Sequence, residues 1–301
     1  VLWVDHVPSF LKIDDPVAAS LLGAHTRGAT GLYRVKATFS TALGLAEYIS
    51  LLTPFAIHFA VGPYSRITKL LGVIALPVIF YIVRLTDARL GVVGFLGSFL
   101  LYSLFWGLLR FRRTRGDLVS ATIVYSYPTI AAAIMILINS SHRLNSLVFG
   151  GNAQNASNNA REVQLAMGVP KILENPIGHG AANSGPSMGY AEGAFVTVDN
   201  YYLTLGLDYG VFGLTCFLAL FLIAIAYAVR WGVVSVDRED PELLLLMPLA
   251  AALASFLVIK SVFSQPDNHP IIFLFLGMIV ALAYRAMQGD PKRAGAVSTA
   301  G

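Results

Sequence analysis

Few side chains in this sequence have chemistry to offer, and they are placed unevenly. One hydrophilic stretch between apolar blocks, residues 140–200, holds Arg161, His179, Asp199 and Asn200, and Tyr201 and Tyr202 follow it directly. Upstream, Arg34, Glu47 and Arg89 stand at or near the ends of apolar blocks. Guanidinium groups stay charged and grip phosphate oxygens in a fork, so the arginines suit an anionic substrate. Asp199 and His179 are the side chains that can take a proton from a reacting hydroxyl. Each also has a plainer reading. Asp199 immediately precedes a predicted helix, where an aspartate satisfies free backbone amides. Arg161 reads equally as a solvated loop charge, and a lone histidine in a Gly-His-Gly turn as structural. The sequence has no H-E-x-x-H, no His/Cys cluster and no D-x-D, so no metal and no cofactor are expected. GHGAANSG is no dinucleotide fingerprint, because it lacks a preceding strand and a βαβ setting.

The elements that must position these residues are apolar. Of 301 residues, 56% are hydrophobic and 13% charged, against roughly 25% charged in an average soluble domain. Mean hydropathy is +0.67. A disordered chain is excluded and a water-soluble enzyme disfavoured. The apolar residues fall in blocks that approach the roughly 20 needed to cross a bilayer core. The fold class is therefore all-α, a polytopic transmembrane helix bundle with one long extracytoplasmic loop. Seven spans are predicted, near 39–62, 68–84, 91–109, 118–139, 204–229, 243–262 and 270–287, with Pro54, Pro77, Pro128 and Pro248 inside them. Such prolines are tolerated where neighbours satisfy the freed carbonyls. The lone Cys216 excludes an intramolecular disulfide. The chain starts at Val1 with neither a methionine nor a signal-peptide pattern, which reads as the C-terminal part of a longer protein.

The net charge of +4 and pI of about 9.2 come from basic residues at the ends of apolar blocks, a sign of membrane orientation rather than of nucleic-acid binding. Arg110, Arg112, Arg113 and Arg115 mark the link after the third span as cytoplasmic; alternation then places Arg66, Lys69, Arg230, Arg238, Lys292 and Arg293 inside as well. Arg84 and Arg89 flank a short outer turn against this rule. The organisation that follows is an extracytoplasmic lead-in over 1–38, four helices over 39–139, the long outer loop over 140–200, three helices over 201–288 and a cytoplasmic tail over 289–301. Within the loop, GGNAQNASNN reads as flexible, AREVQLAMGVPKILE as a short helix interrupted near Pro170, and the Asn155-Ala156-Ser157 sequon as accidental. His58 and Asp208, near span ends, read as structural. Glu47, two turns into a span, would pair with an outer arginine or bind sugar.

The run ENPIGHGAANSG followed by VDNYYLTLGLDYGVFGL resembles the O-antigen ligase and polymerase family of bacterial envelope glycan synthesis. The matching residues are Arg161 early in the loop, a Pro-x-Gly-x-Gly turn at Pro176, Gly178 and Gly180, then Asp199, Asn200, Tyr202 and Leu203, then Gly210 and Gly213. TDARLG resembles the family's outer turn and places Arg89; YRVKATFSTALGLAEY resembles its lead-in, with Arg34, Thr38, Phe39 and Glu47. Ligases of the family usually carry histidine where Asp199 stands.

The resemblance implies a GT-C-like membrane glycosyltransferase of the bacterial inner membrane, working without metal at the periplasmic face. It would polymerise or transfer oligosaccharide units from an undecaprenyl-diphosphate-linked glycan donor to a glycan or lipid acceptor, in O-antigen, lipopolysaccharide or exopolysaccharide biosynthesis. Asp199 would be the base, Arg161 and Arg89 the diphosphate holders, and Arg34, Glu47, His179, Asn200 and Tyr202 substrate-binding residues. Membrane lipid, a chain-length regulator and a flippase are the partners implied, and no nucleic acid. The alternatives are a ligase acting on lipid A-core and, in a different class, a transporter or flippase of lipid-linked glycan. A transporter would show inverted repeats and broken helices near the midplane, and the sequence shows neither.

Overall fold

The apolar blocks fold as their hydropathy requires. The computed structural model describes residues 34–114, 117–140, 155–192, 195–196, 198–235, 240–261, 264 and 266–288. Four helices come first: α1 (Ala42–Val61), α2 (Arg66–Leu85), α3 (Arg89–Arg113) and α4 (Leu118–Ser140). The hydrophilic stretch contributes α5 (Asn155–Glu174), the short α6 (Ser184–Met188) and a two-residue antiparallel pair, β1 (Ala191–Glu192) with β2 (Phe195–Val196). Then come α7 (Tyr201–Ser235), α8 (Leu246–Lys260) and α9 (His269–Gln288). The lead-in up to residue 33, the loop over 141–154, the tail 289–301 and the charges Arg115, Arg238, Lys292 and Arg293 lie outside the described residues, as does the side chain of Arg89.

Among the described residues, six helices are long and apolar enough to cross a membrane: Ala42–Val61, Arg66–Leu85, Gly91–Arg112, Tyr201–Gly232, Leu243–Lys260 and His269–Gln288. The remaining predicted span, 118–139, is the 23-residue α4, whose described apolar part is Leu118–Ile130. The chain is a polytopic helical membrane protein. Two expectations for the loop need correction. Residues 155–159, read as flexible, form the first turns of α5, and α5 continues through Pro170. A proline removes one backbone donor, and the packing of α5 along α7 outweighs that loss: Ile172 is buried with Met188, Leu203 and Leu207.

Burial separates the centre of the bundle from its lipid-facing rim. Of the apolar stretch Leu243–Lys260, 72% is buried, against 17% of Arg66–Leu85. Leu249, Leu253 and Phe256 of α8 pack against Phe221 of α7 and Ile272 and Ile279 of α9. Ile67, Leu70, Leu71 and Ile74 of α2 face outward, as lipid permits. Inside α1, Pro54 deprives the Ser50 carbonyl of its helical donor, and Ser98 Oγ of α3 lies 3.4 Å from that oxygen. The Ser98 proton goes mainly to the Gly94 carbonyl at 2.8 Å, so the Ser50 oxygen gains a polar neighbour rather than a full replacement bond.

One ion pair ties α1 to α8. Glu47 and Lys260 are both fully buried, with Lys260 Nζ 3.0 Å from Oε1 and donating to Oε2 at 3.1 Å. Asn268 Nδ2 donates to Glu47 Oε2 at 3.0 Å and to the Gly44 carbonyl at 2.9 Å, drawing in the turn before α9. Lys260 Nζ also sits 5.2 Å from the Tyr201 ring centroid and 5.4 Å from that of Phe256. Removing one member of such a pair leaves an uncompensated charge, whereas removing both does not. Lys260→Met should destabilise the protein by about 3–5 kcal/mol, read as a lower unfolding temperature in detergent. The double variant Glu47→Gln/Lys260→Met should recover most of that loss.

Candidate functional site

The site is built around a break in α7. Gly210 has φ 67° and ψ −170°, far from helical values, so the helix that starts at Tyr201 stops and restarts there. The backbone groups freed by the break are taken by the Pro-x-Gly-x-Gly turn. The Val211 amide donates to the Pro176 carbonyl at 3.0 Å, the His179 amide donates to the Leu207 carbonyl at 2.8 Å, and the Gly180 amide donates to the Asp208 carbonyl at 2.9 Å. His179 Nδ1 also donates to the Leu207 carbonyl, at 3.0 Å. The two glycines follow from this close approach: a Cβ on Gly178 would meet the Asp208 carbonyl oxygen at 2.4 Å, and one on Gly210 would lie within 2 Å of the Pro176 oxygen.

Asp208 completes the clamp. Its buried carboxylate accepts from the Ser184 amide at 2.6 Å and the Ala182 amide at 3.2 Å, capping the start of α6. At the other end of α6, Lys171 Nζ of α5 donates to the Ser187 and Met188 carbonyls at 2.6 and 3.0 Å. The second half of the loop is therefore fixed at both ends of a five-residue helix, to α7 at its start and to α5 at its end.

Above the clamp, α5 brings together two residues read from sequence and one that was not. Gln164, one turn along α5 from Arg161 and 1% exposed, accepts the Asp199 amide on its Oε1 at 2.9 Å. That bond fixes which end of the side-chain amide is the acceptor. Gln164 Nε2 and Arg161 Nε are then buried donors with no hydrogen-bond partner among the described residues. Two orphaned donors thus stand a helical turn apart on the helix that binds the Asp199 amide.

The reading of Asp199 as a helix cap is corrected by the structure. The cap of α7 is Asn200, whose Oδ1 accepts from the Tyr202 and Leu203 amides at 2.9 and 3.2 Å. Asn200 Nδ2 donates to the Ser261 carbonyl at 2.9 Å, so the cap also moors α7 to the end of α8. Tyr202 does the same one turn on, its hydroxyl donating to the Leu257 carbonyl at 2.5 Å. No hydrogen bond holds the Asp199 carboxylate among the described residues, which leaves it open for other work. Among these residues no group of three His, Cys, Asp or Glu side chains converges on one point.

The other candidates gather at the same end of the bundle by a separate route. Arg34 Nε donates to the Thr86 carbonyl at 2.9 Å, and the Val35 amide donates to the Leu85 carbonyl at 3.1 Å, so the lead-in lies on the turn that carries Arg89. Glu47 lies in the ion pair beneath Tyr201. His179 and Asn200 serve the clamp and the cap. Gln164 and Lys260 escaped the sequence reading: the one is a neutral amide with only its i+3 spacing from Arg161 as a signal, the other a lysine at a predicted span end.

A family model described as O-antigen ligase matches residues 50–218, more than half of the chain. The chain belongs to the O-antigen ligase family. The match spans most of α1 to beyond the break in α7, so it contains Arg89, Arg161, Gln164, the clamp, Asp199, Asn200 and Gly210, and leaves Arg34, Glu47 and Lys260 outside. Among curated proteins none matches the chain in sequence. An O-antigen ligase-type function in glycan assembly, by a multi-pass membrane protein, accords with a site at one end of a helix bundle.

The clamp makes Gly210, at the break in α7, the position where an added Cβ has least room. Gly210→Ala should cost at least ~3 kcal/mol, because its backbone conformation is nearly exclusive to glycine and its Cβ would strike a carbonyl. Gly277→Ala in α9, where a Cβ would meet nothing within 4 Å, should be neutral or slightly stabilising. Thermal unfolding of both purified variants in detergent checks the contrast.

Proposed function

We propose that the chain transfers glycan from an undecaprenyl-diphosphate carrier to an acceptor hydroxyl at the periplasmic face of the bacterial inner membrane, and that it polymerises repeat units of a surface polysaccharide. The observation that carries this reading is the pair of orphaned buried donors, Arg161 Nε and Gln164 Nε2, on the helix that binds the Asp199 amide, together with an Asp199 carboxylate that no helix cap consumes. Breaking the bond between the sugar anomeric carbon and the diphosphate oxygen leaves the electron pair on a diphosphate. Arg161 and Gln164 would receive that charge, with Arg89 as a second cation. The acceptor oxygen forms the new bond to the anomeric carbon and gives its proton to Asp199. Tyr202 and Asn200 hold the strand that presents Asp199, so their part is positioning.

A second reading, transfer to lipid A-core by a ligase, is favoured by the family description itself. It uses the same donor and the same residues and differs only in the acceptor. The aspartate at 199, in place of the histidine usual in ligases, inclines the proposal to polymerase.

The test uses the complete protein in liposomes with purified lipid-linked repeat units. A ladder of lengthened lipid-linked products is expected from wild type. Asp199→Asn should lower its rate by roughly 10²–10⁴-fold, the usual worth of a general base, and Arg161→Ala should abolish it, with thermal unfolding unchanged in both. Transfer to added lipid A-core without a ladder would move the assignment to ligase. Full activity in both variants would sink the roles given to Asp199 and Arg161.

A further inference from the structure

A cavity of about 620 Å³ lies at the end of the bundle opposite the long loop. The ends of α1 and α3, the starts of α2 and α8 and the residues before α4 enclose it. Its volume suits a small ligand or a lipid headgroup with the roots of its tails. Val61, Leu109, Leu244 and Met247 give it an apolar lining.

Its polar wall is closed on itself. The Tyr64 hydroxyl donates to the Pro241 carbonyl at 3.3 Å, so its oxygen accepts from His58 Nε2 at 2.9 Å, and His58 Nδ1 is left to accept from the Tyr102 hydroxyl at 2.7 Å. Both imidazole nitrogens are thereby committed inside the wall. The charge of the cavity is set by three other lining residues, Lys69, Arg110 and Asp117. Asp117 is paired with Arg110 through Nε at 2.5 Å, and the guanidinium lies 5.2 Å from the Trp106 ring centroid. Two cations face one carboxylate. The terminal nitrogens of Arg110 and the ammonium of Lys69 have no hydrogen-bond or ion-pair partner among the described residues.

We propose that this cavity binds the phosphate headgroup of an anionic lipid from the leaflet opposite the long loop, with the phosphate on Lys69 and Arg110. A lipid rather than a soluble anion is indicated by what borders the site. Lys69 stands on α2 between Ile67 and the exposed Leu70 and Leu71, which continue outward as a lipid-facing apolar surface. α2 packs mainly on α1 and only lightly on α3, so acyl chains have the loosely packed α2–α3 side to lie along. This inference rests on the chain's crossing a membrane and is independent of the glycan reading.

Trp106 lines the cavity and reports its occupant. With Trp106 as sole tryptophan (Trp3→Phe, Trp231→Phe), the full chain is reconstituted in phosphatidylcholine vesicles and titrated with brominated phosphatidylglycerol or brominated phosphatidylcholine. Saturable quenching by phosphatidylglycerol in excess of that by phosphatidylcholine is expected. Lys69→Gln and Arg110→Gln should each weaken the apparent affinity about five-fold, and Lys69→Arg should keep it. Native mass spectrometry of the chain with its own tryptophans should show the same preference for retained phosphatidylglycerol. Equal quenching by the two lipids, or a preference untouched by both glutamine variants, would overturn the proposal. Relief of the excess quenching by millimolar inorganic phosphate, and not by chloride of equal ionic strength, would also overturn it by assigning the cavity to free phosphate.

Discussion

A helix that breaks where water is scarce must find partners for every backbone group it releases, and this requirement organises the site. In α7 the break at Gly210 frees carbonyls at Leu207 and Asp208 and an amide at Val211. Bulk water would satisfy them in a soluble protein; in a bilayer they must be met from within the chain. The turn from Pro176 to Gly180 meets them with its own backbone, which is possible only if the two chains approach more closely than any side chain at 178 or 210 allows. Because the turn is fixed, α6 and the end of α5 are fixed with it, through Asp208 and Lys171. The loop that carries Arg161 is therefore ordered by the helix that follows it.

The exit of the loop is ordered from the opposite side, by charge. A lysine and a glutamate buried without water are tolerable only when matched in distance and supported by further hydrogen bonds, and Asn268 provides that support. The pair lies under Tyr201, while Asn200 and Tyr202 bond to the carbonyls of Ser261 and Leu257, respectively. The strand bearing Asp199 is held between this platform and Gln164 of α5. A segment held on both sides keeps little backbone freedom, which is the preorganisation that the base proposed at Asp199 would need.

The parts of this arrangement that were legible in the sequence are those set by composition over many residues. Span positions followed from apolar block length, because a bilayer imposes one length on every crossing element. The Pro-x-Gly-x-Gly turn was visible as a motif, yet the reason for its first glycine was not, since the atoms that Gly178 avoids belong to residues about 30 positions away on α7. Asp199 was read as a cap from its place before a helix; the next residue holds that role because the chain turns helical one position later than the polarity pattern suggested. Lys260 looked like an ordinary lysine at a span end, where snorkelling is the default. Only the folded bundle puts it against Glu47, 213 residues earlier. The interruption expected near Pro170 does not occur, because packing against Leu203 and Leu207 carries the helix through.

The placement of charge also bears on transport against catalysis. A pathway for a polar cargo would need ionisable or polar groups that can be exposed in turn along the length of the bundle. Here the buried pair sits near the loop end, in the second turn of α1 and at the last residue of α8, and is closed by Asn268. At the far end, His58 is closed by two tyrosines. Between these two closed networks the core of α8 is Leu249, Ala250, Ala252, Leu253 and Phe256, packed on apolar residues of α7 and α9. The buried polar groups between them, Ser50, Thr53, Ser98 and Ser255, are neutral hydroxyls, three of which donate to carbonyls one turn back in their own helices, so buried charge is confined to the two ends. That division suits a group transfer completed at one face better than the passage of a glycan between faces.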